Sequence, residues 1–464
     1  MTAISRVPAN VFRAYDVRGV VGTDLTAEFA NLLGKAIGTM AKRQGRSTLS
    51  VGRDCRTHGP MLHEGLVSGL RSTGINILDI GVVTSPLVYF SLFHLEDEID
   101  GGIVITGSHN PKEFNGFKIC MGQTSIHGED IQTLRALIEA DDFETGEGGY
   151  SERSILRAYI DHVKGNLRLP HTNLKVVVDA GNGTAGPVIE PLLRELGFDV
   201  VALYCDMDGN FPNHHPDPTD EANLQDLIAA VAEHGAAAGF AYDGDTDRIG
   251  VVDDKGTILW GDRLMILLSR QLLSEVPGAA IVGEVKCSQT LFDDIAARGG
   301  RPILAKVGHS LIKARMKAEG AILAGEMSGH IFFKHRYFGY DDAVYATGRV
   351  LEVLTSHTES LSELMSDVPV THVTPELRFD CPDDIKFPVV EHCVAAFKKT
   401  HKVIDIDGAR VLFEDGWGLV RSSNTQPVLV LRCEAQTAEG LIRIRAAIEG
   451  AVETAIAAVS AEAG

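Results

Sequence analysis

The sequence predicts an α/β protein: three α/β domains in series, then a smaller α+β domain at the C-terminus. Three observations carry this. The chain has 464 residues, enough for three to four domains at roughly 100–200 residues each. Strand–loop–helix starts recur about 100 residues apart through the first three quarters of the chain, the pattern of successive α/β units. Beyond residue 369 short strands mix with one long helix instead.

The first unit opens after Asp24. Leu25, Phe29, Leu32, Leu33, Ala36, Ile37 and Met40 follow the 3.6-residue period of an amphipathic helix, Gly45 stops it, and Leu49-Ser50-Val51 begins a strand. The second starts at Leu174–Asp179, a nearly all-apolar strand of the kind buried on both faces, and the third at Ala279–Gly283. Loop-like composition places the boundaries. Glu144–Gly149 carries three glycines, Asp253-Asp254-Lys255-Gly256 is a polar turn, and Asp367–Pro375 holds two prolines. The expected domains are therefore 1–150, 151–256, 257–368 and 369–464. The last includes a strand at Leu429–Arg432 and a helix from Ala438 to Val459.

Composition narrows the function. Hydrophobic residues make up 44% and charged residues 23% of the chain, ordinary for a globular protein. No apolar run approaches the ~18 residues of a membrane span, and no signal peptide is visible at the N-terminus. The seven cysteines form no CxxC pair, so reduced thiols in the cytoplasm are expected. A net charge of −20 argues against nucleic acid and anionic membrane as partners. It would equally repel a sugar phosphate, so an enzyme for such a substrate needs a locally cationic site.

Four short segments hold the chemistry. Asp243-Gly244-Asp245-Thr246-Asp247-Arg248 sets three carboxylates at alternate positions. On an extended strand these stand ~6.6 Å apart, too far to share one ion, so the segment must curl, and Gly244 permits it. Oxygen-only ligands favour Mg²⁺. A solvated acidic loop and an EF-hand are the competing readings. The EF-hand fails because its sixth position holds Arg248 where glycine is needed, and because its flanks read as strands.

Thr106-Gly107-Ser108-His109-Asn110-Pro111 follows the apolar strand Ile103–Ile105. A serine on a tight turn at a strand's end can project as a nucleophile, though a plain β-turn has the same composition. Gly325-Glu326-Met327-Ser328-Gly329-His330 offers a carboxylate, a hydroxyl and an imidazole for vicinal sugar hydroxyls. Arg421-Ser422-Ser423-Asn424-Thr425-Gln426-Pro427 suits a phosphate dianion, or is simply a polar turn.

Two further motifs compete. Gly181-Asn182-Gly183-Thr184-Ala185-Gly186 fits GxGxxG between a strand and a helix, with Asp206 at the spacing of a dinucleotide site. The alternative it raises is an NAD-dependent dehydrogenase, which would need neither the aspartate triad nor the serine turn. Asn213-His214-His215-Pro216-Asp217-Pro218 sets two histidines side by side where they cannot readily face one ion, so a structural role is expected.

Together, in this order, the four segments resemble the four loops of the α-D-phosphohexomutase superfamily: phosphoserine, metal, sugar and phosphate loops, one per domain. Phe12–Gly19, Asn115–Lys118, Val285–Cys287 and Gly308–Ser310 match the family as linking pieces. Gly107, Met327 and Asn424 resemble the bacterial phosphomannomutase/phosphoglucomutase branch, while Thr246 departs from the glycine of many relatives. The resemblance implies mixed-sheet domains around one central cleft, and a monomer.

It also implies a phosphoserine at Ser108, which with Asp243, Asp245 and Asp247 would hold one Mg²⁺. The phosphoryl group would pass to a hexose 1-phosphate and give a 1,6-bisphosphate, so that glucose 1,6-bisphosphate serves as intermediate and activator. Arg248 is placed among the catalytic residues, with His109, Lys118 and His309 as alternative general bases. Tyr15, Arg18, Lys286, Glu326, Ser328, His330, Arg421, Ser423, Asn424 and Thr425 would bind substrate. A phosphatase remains the second reading on this scaffold, if water took the phosphoryl group.

Overall fold

The structure is a computed structural model that describes residues 7–423 and 427–463, with side chains as far as residue 461. The chain forms two compact units. One comprises Met1–Leu264 and Ser328–Leu364, the other Met265–Met327 and Met365–Gly464.

The first unit contains two sheets. In the first sheet the order is Val17–Val20, Phe114–Met121, Gly101–Ile105, Thr48–Arg53, Asn76–Val82 and Tyr150–Glu152, with Thr124–Ser125 beside Phe114–Met121. The strands from Gly101 to Glu152 in that order run parallel, and Phe114–Met121 and Val17–Val20 are antiparallel to their neighbours. The helix expected after Asp24 spans Ala27–Arg43; the Thr26 hydroxyl accepts from the Phe29 N–H at 3.1 Å and so satisfies an orphan donor at its start. Phe29, Leu33, Ala36, Ile37 and Met40 are buried against Leu49, Val51, Leu62 and Leu66.

The second sheet runs Ile258–Leu259, Ile249–Asp253, Ala238–Tyr242, Lys175–Asp179 and Asp199–Leu203. Its three central and outer strands from Ala238 to Leu203 are parallel, and Ala238–Tyr242 and Ile249–Asp253 form an antiparallel hairpin. That hairpin carries the aspartate loop at its tip. The helix Ala343–Ser356, buried along nearly its whole length, joins this unit through a 2.8 Å hydrogen bond between the Tyr242 and Thr347 hydroxyls.

In the second unit, Arg301–Ala305, Ala280–Glu284 and Leu323–Gly325 run parallel. The C-terminal sheet is antiparallel. Its order is His372–Val373, Val428–Ala435, Gly416–Ser422, Ala409–Phe413 and Lys402–Ile404, with Leu377–Asp380 also on Val428–Ala435. Among the described residues this sheet has six strands, and the two- and three-residue strands at its ends are too short to leave a hydrophobic pattern in the sequence. The helix expected to end at Val459 continues to Ala463, alanine-rich to its end.

Candidate active site

In the first unit two strand ends deliver the chemistry. The strand Gly101–Ile105 ends at Thr106, and the next turn puts Ser108 in the left-handed region at φ +49°. A non-glycine residue adopts that backbone only where its surroundings enforce it. Thr106 Oγ1 accepts from the Ser108 N–H at 2.8 Å and donates to Asp54 at 2.9 Å. Ser108 Oγ donates to Asp243 Oδ2 at 2.9 Å and lies 3.1 Å from His109 Nδ1. The serine turn and the aspartate loop therefore meet at the serine oxygen.

The aspartate loop curls as its sequence requires. Asp243 Oδ1 accepts from the N–H groups of Asp247 and Arg248 at 3.1 Å each, and Thr246 is left-handed at φ +66°. Asp243, Asp245 and Asp247 are all fully buried, which removes the solvated-loop reading. Their carboxylate oxygens lie within 4.8 Å of one another. Lys118 Nζ stands between Asp245 (2.6 Å) and Asp247 (2.5 Å), and Ser85 donates to Asp245 at 2.5 Å.

One ammonium does not balance three carboxylates. Burial, then Asp247 and Asp245, pushes Asp243 well above the usual carboxylate range. Burial opposes the charge of Asp247 too, but Lys118, His330 and Arg248 outweigh it and hold Asp247 well below that range. Burial likewise works against Lys118, yet the three aspartates keep its pKa raised. Asp245 Oδ1 is buried without a hydrogen-bond partner among the described residues. An orphaned carboxylate oxygen, an all-oxygen donor set and surplus negative charge all fit a divalent cation.

Around this centre, His330 Nε2 lies 3.1 Å from Asp247 Oδ1 and 3.2 Å from Arg248 Nε. The Ile249 N–H donates to the Gly329 carbonyl at 3.0 Å. Gly329 is obligatory: its φ is +90°, and a Cβ there would stand 2.3 Å from the Ile249 carbonyl oxygen. Ser328 Oγ is 3.5 Å from His330 Nδ1. Arg18 pairs with Asp16 at 2.6 Å, and Tyr15, half-buried, precedes that aspartate. His109 is driven well below the ordinary imidazole range by desolvation, with Arg248 and Arg18 adding to the effect.

The second unit holds the other predicted residues. Lys286 Nζ bonds Glu376 at 3.2 Å; burial opposes its charge, but Glu284 and Glu376 keep its pKa raised. Glu326 accepts from the Gly308 N–H at 2.7 Å, beside buried His309. Arg421 donates to Asp407 at 3.0 Å, and the Ser423 carbonyl accepts from Lys386 at 2.8 Å. Asn424 and Thr425 lie outside the described residues.

Arg18, Lys118, Lys286 and Arg421 each carry a carboxylate partner, because a buried charge without one is too costly. Sequence reasoning missed Asp16, Glu376 and Asp407 among those partners, and also Asp54 and Ser85: Asp16 lies in the Phe12–Gly19 segment but carries no assigned role there, and Glu376, Asp407, Asp54 and Ser85 fall in no recognisable motif. The dinucleotide alternative fails on space. A Cβ at Gly183 would stand 2.9 Å from the Gly244 carbonyl, and Thr184 Oγ1 donates to that same oxygen at 3.1 Å, so the aspartate loop fills the position a pyrophosphate would need.

Comparison with known proteins decides the family. Four models match in order: phosphoglucomutase/phosphomannomutase α/β/α domain I at residues 9–145, domain II at 157–256, domain III at 260–371 and the C-terminal domain at 376–451. The chain belongs to the phosphoglucomutase/phosphomannomutase family. It is a phosphohexomutase. It is 46% identical over 440 residues to the phosphomannomutase/phosphoglucomutase of Pseudomonas aeruginosa, covering 95% of this chain and 94% of that one. It is 43% identical over 460 residues to the phosphoglucomutase of Neisseria gonorrhoeae, covering 98% of each. A crystal structure of a phosphoglucomutase/phosphomannomutase family protein from Burkholderia thailandensis superimposes with a TM-score of 0.91 at 42% identity, covering 97% of this chain and 98% of that chain. The phosphohexomutase has no helix, among the described residues, long and apolar enough to cross a membrane.

Proposed function

We propose that this phosphohexomutase interconverts the 1- and 6-phosphates of mannose and glucose through a phosphoserine at Ser108 and a hexose 1,6-bisphosphate. The observation that carries the reading is Ser108 Oγ, held on a left-handed turn and hydrogen-bonded into a buried aspartate triad. In the forward step the P–O bond to Ser108 breaks and a P–O bond forms to the free hydroxyl of a hexose 1-phosphate, whose proton passes to the general base, for which His109, Lys118 and His309 are the alternatives. The bisphosphate then reorients and returns its other phosphoryl group to Ser108 Oγ. His109, with Nδ1 3.1 Å from that oxygen, would take the serine proton in this return step. Lys118, clasped by Asp245 and Asp247, acts through its charge.

Mg²⁺ held by Asp243, Asp245, Asp247 and the Ser108 phosphate would neutralise charge on the phosphoryl group as it moves. Arg18, Lys286, Arg421, Ser423, Asn424 and Thr425 are assigned to the substrate's phosphate. Glu326, Ser328 and His330 are assigned to its hydroxyls, with Tyr15 beside them. Glucose 1,6-bisphosphate would restore a dephosphorylated enzyme. Seven free thiols support a reducing, cytoplasmic setting, and the protein is taken to act as a monomer on small molecules.

Glucose and mannose share their 3- and 4-hydroxyls and differ only at C2, to which no loop is assigned. A site that makes no bond to a group discriminates it by only about 10–200-fold. Glucose 1-phosphate and mannose 1-phosphate should therefore both be converted, with kcat/KM within about that range, and glucosamine 1-phosphate should be poorer. A coupled assay of all three, primed with glucose 1,6-bisphosphate, tests this. If glucosamine 1-phosphate were best, the substrate assignment would be wrong; release of inorganic phosphate matching turnover would favour a phosphatase.

A further inference from the structure

The carbonyl groups from Ser108 to Pro111 all accept from side-chain donors. Arg56 is 1% exposed and lies behind the turn. Its Nη2 donates to the carbonyls of Ser108 (2.8 Å) and Asn110 (2.6 Å), and its Nη1 to those of Pro111 (2.7 Å) and Phe114 (3.0 Å). Its Nε bonds Asp54, which also accepts from the Gly107 N–H and the Thr106 hydroxyl. The carbonyl between those of Ser108 and Asn110, that of His109, accepts from His215 Nε2 at 2.5 Å, which requires the Nε2–H form of that ring. The loop bearing His215 is fixed in turn: His214 Nε2 lies 3.0 Å from fully buried Asp179, and Asn213 bonds Asn182 at 2.7 Å. Gly107 leaves room for the guanidinium, since a Cβ there would stand 2.4 Å from Arg56 Cζ.

We infer that Arg56 and His215 are positioning residues for phosphoryl transfer: together they hold the Ser108–Pro111 carbonyls and keep the serine oxygen aimed at the aspartate site. This rests on Ser108 being the nucleophile. The turn must stay fixed while one phosphoryl group leaves and another returns in each catalytic cycle, and left-handed Ser108 would relax if its carbonyl contacts were lost. Five carbonyls fixed by cationic or imidazole donors hold the turn from behind without touching substrate. A fork of fixed N–H directions can serve four oxygens at once; an ammonium cannot.

The effect should fall on the transfer step. In His215→Ala, kcat should drop about 10–100-fold while KM moves less than about threefold, the signature of a misaligned reacting atom. His215→Gln, whose amide N–H can replace Nε2–H, should recover most of that loss. Arg56→Lys, which keeps the charge, should lower kcat comparably. The experiment is rapid-quench transfer from Ser108-phosphorylated enzyme to glucose 1-phosphate for each variant, with phosphate mapped by peptide mass and folding checked by urea titration. A wild-type transfer rate in His215→Ala, or His215→Gln as slow as His215→Ala, would overturn the positioning role. Phosphate mapped to another residue in the wild type would instead sink the nucleophile assignment on which the role depends.

Discussion

At the scale of single residues, the aspartate triad shows how one change separates metal binding from folding. Asp245 accepts from Ser85 and Lys118 through Oδ2 and leaves Oδ1 buried and unpaired. Asp245→Asn keeps the volume and an oxygen acceptor but removes one charge from a site with surplus negative charge. Mg²⁺ affinity, followed by calorimetric titration, should fall by about 10-fold or more, while the melting temperature without metal stays within a few degrees. Unchanged affinity would remove Asp245 from the ligand set. The triad, the serine turn and the glycines between them were legible because each is a contiguous segment whose residue types have a chemical use. Arg56, Asp54 and Ser85 were not, and His215 was read as structural without its contact to the serine turn. Their partners lie 52 to 160 positions away in sequence, and an isolated arginine or serine carries no local sign of what the fold will place against it.

At the scale of secondary-structure elements, ladders of alternating or continuous apolar residues were read correctly. Lys175–Asp179, Ala280–Glu284 and Val428–Ala435 lie where their sequences place them. Short edge strands escaped notice, and one of them carries a measurable charge effect. Asp79, on Asn76–Val82, has His63 Nε2 from the helix Gly59–Ser72 at 2.8 Å and accepts from the Tyr150 hydroxyl of the edge strand Tyr150–Glu152. Burial alone would raise its pKa, but these donors and the Gly81 N–H hold it at about 2. Its folded pKa lies below the unfolded value near 4, so its stabilisation is complete above pH 4 and is lost as pH falls toward 2. The shift is worth about 2 kcal/mol at pH 7. Asp79→Asn should cost about that much in urea unfolding at pH 7 and roughly half as much at pH 3. An equal cost at both pH values would show that Asp79 does not stabilise through its charge.

For the molecule as a whole, the succession of α/β units followed by a smaller α+β C-terminal domain was visible in the spacing of strand starts. The number of strands in the last sheet was not. The global charge of −20 calls for a locally cationic site, and the fold gives Arg18, Lys118, Lys286 and Arg421 carboxylate partners. Because a ligand that binds only the folded state stabilises it by mass action, saturating Mg²⁺ should raise the melting temperature of the wild type. It should do so less in Asp243→Asn, and chelation should abolish turnover until Mg²⁺ is returned.

The account stands on Ser108 as the carrier of the phosphoryl group. Its most direct test is intact-mass measurement of the purified enzyme, before and after mixing with glucose 1-phosphate, with the modified peptide sequenced. The expected result is a species bearing one phosphate on Ser108, depleted on mixing as bisphosphate appears, absent in Ser108→Ala, and accompanied by a loss of turnover of about 100-fold or more. Full activity in Ser108→Ala, or phosphate carried on another residue of the active enzyme, would contradict it.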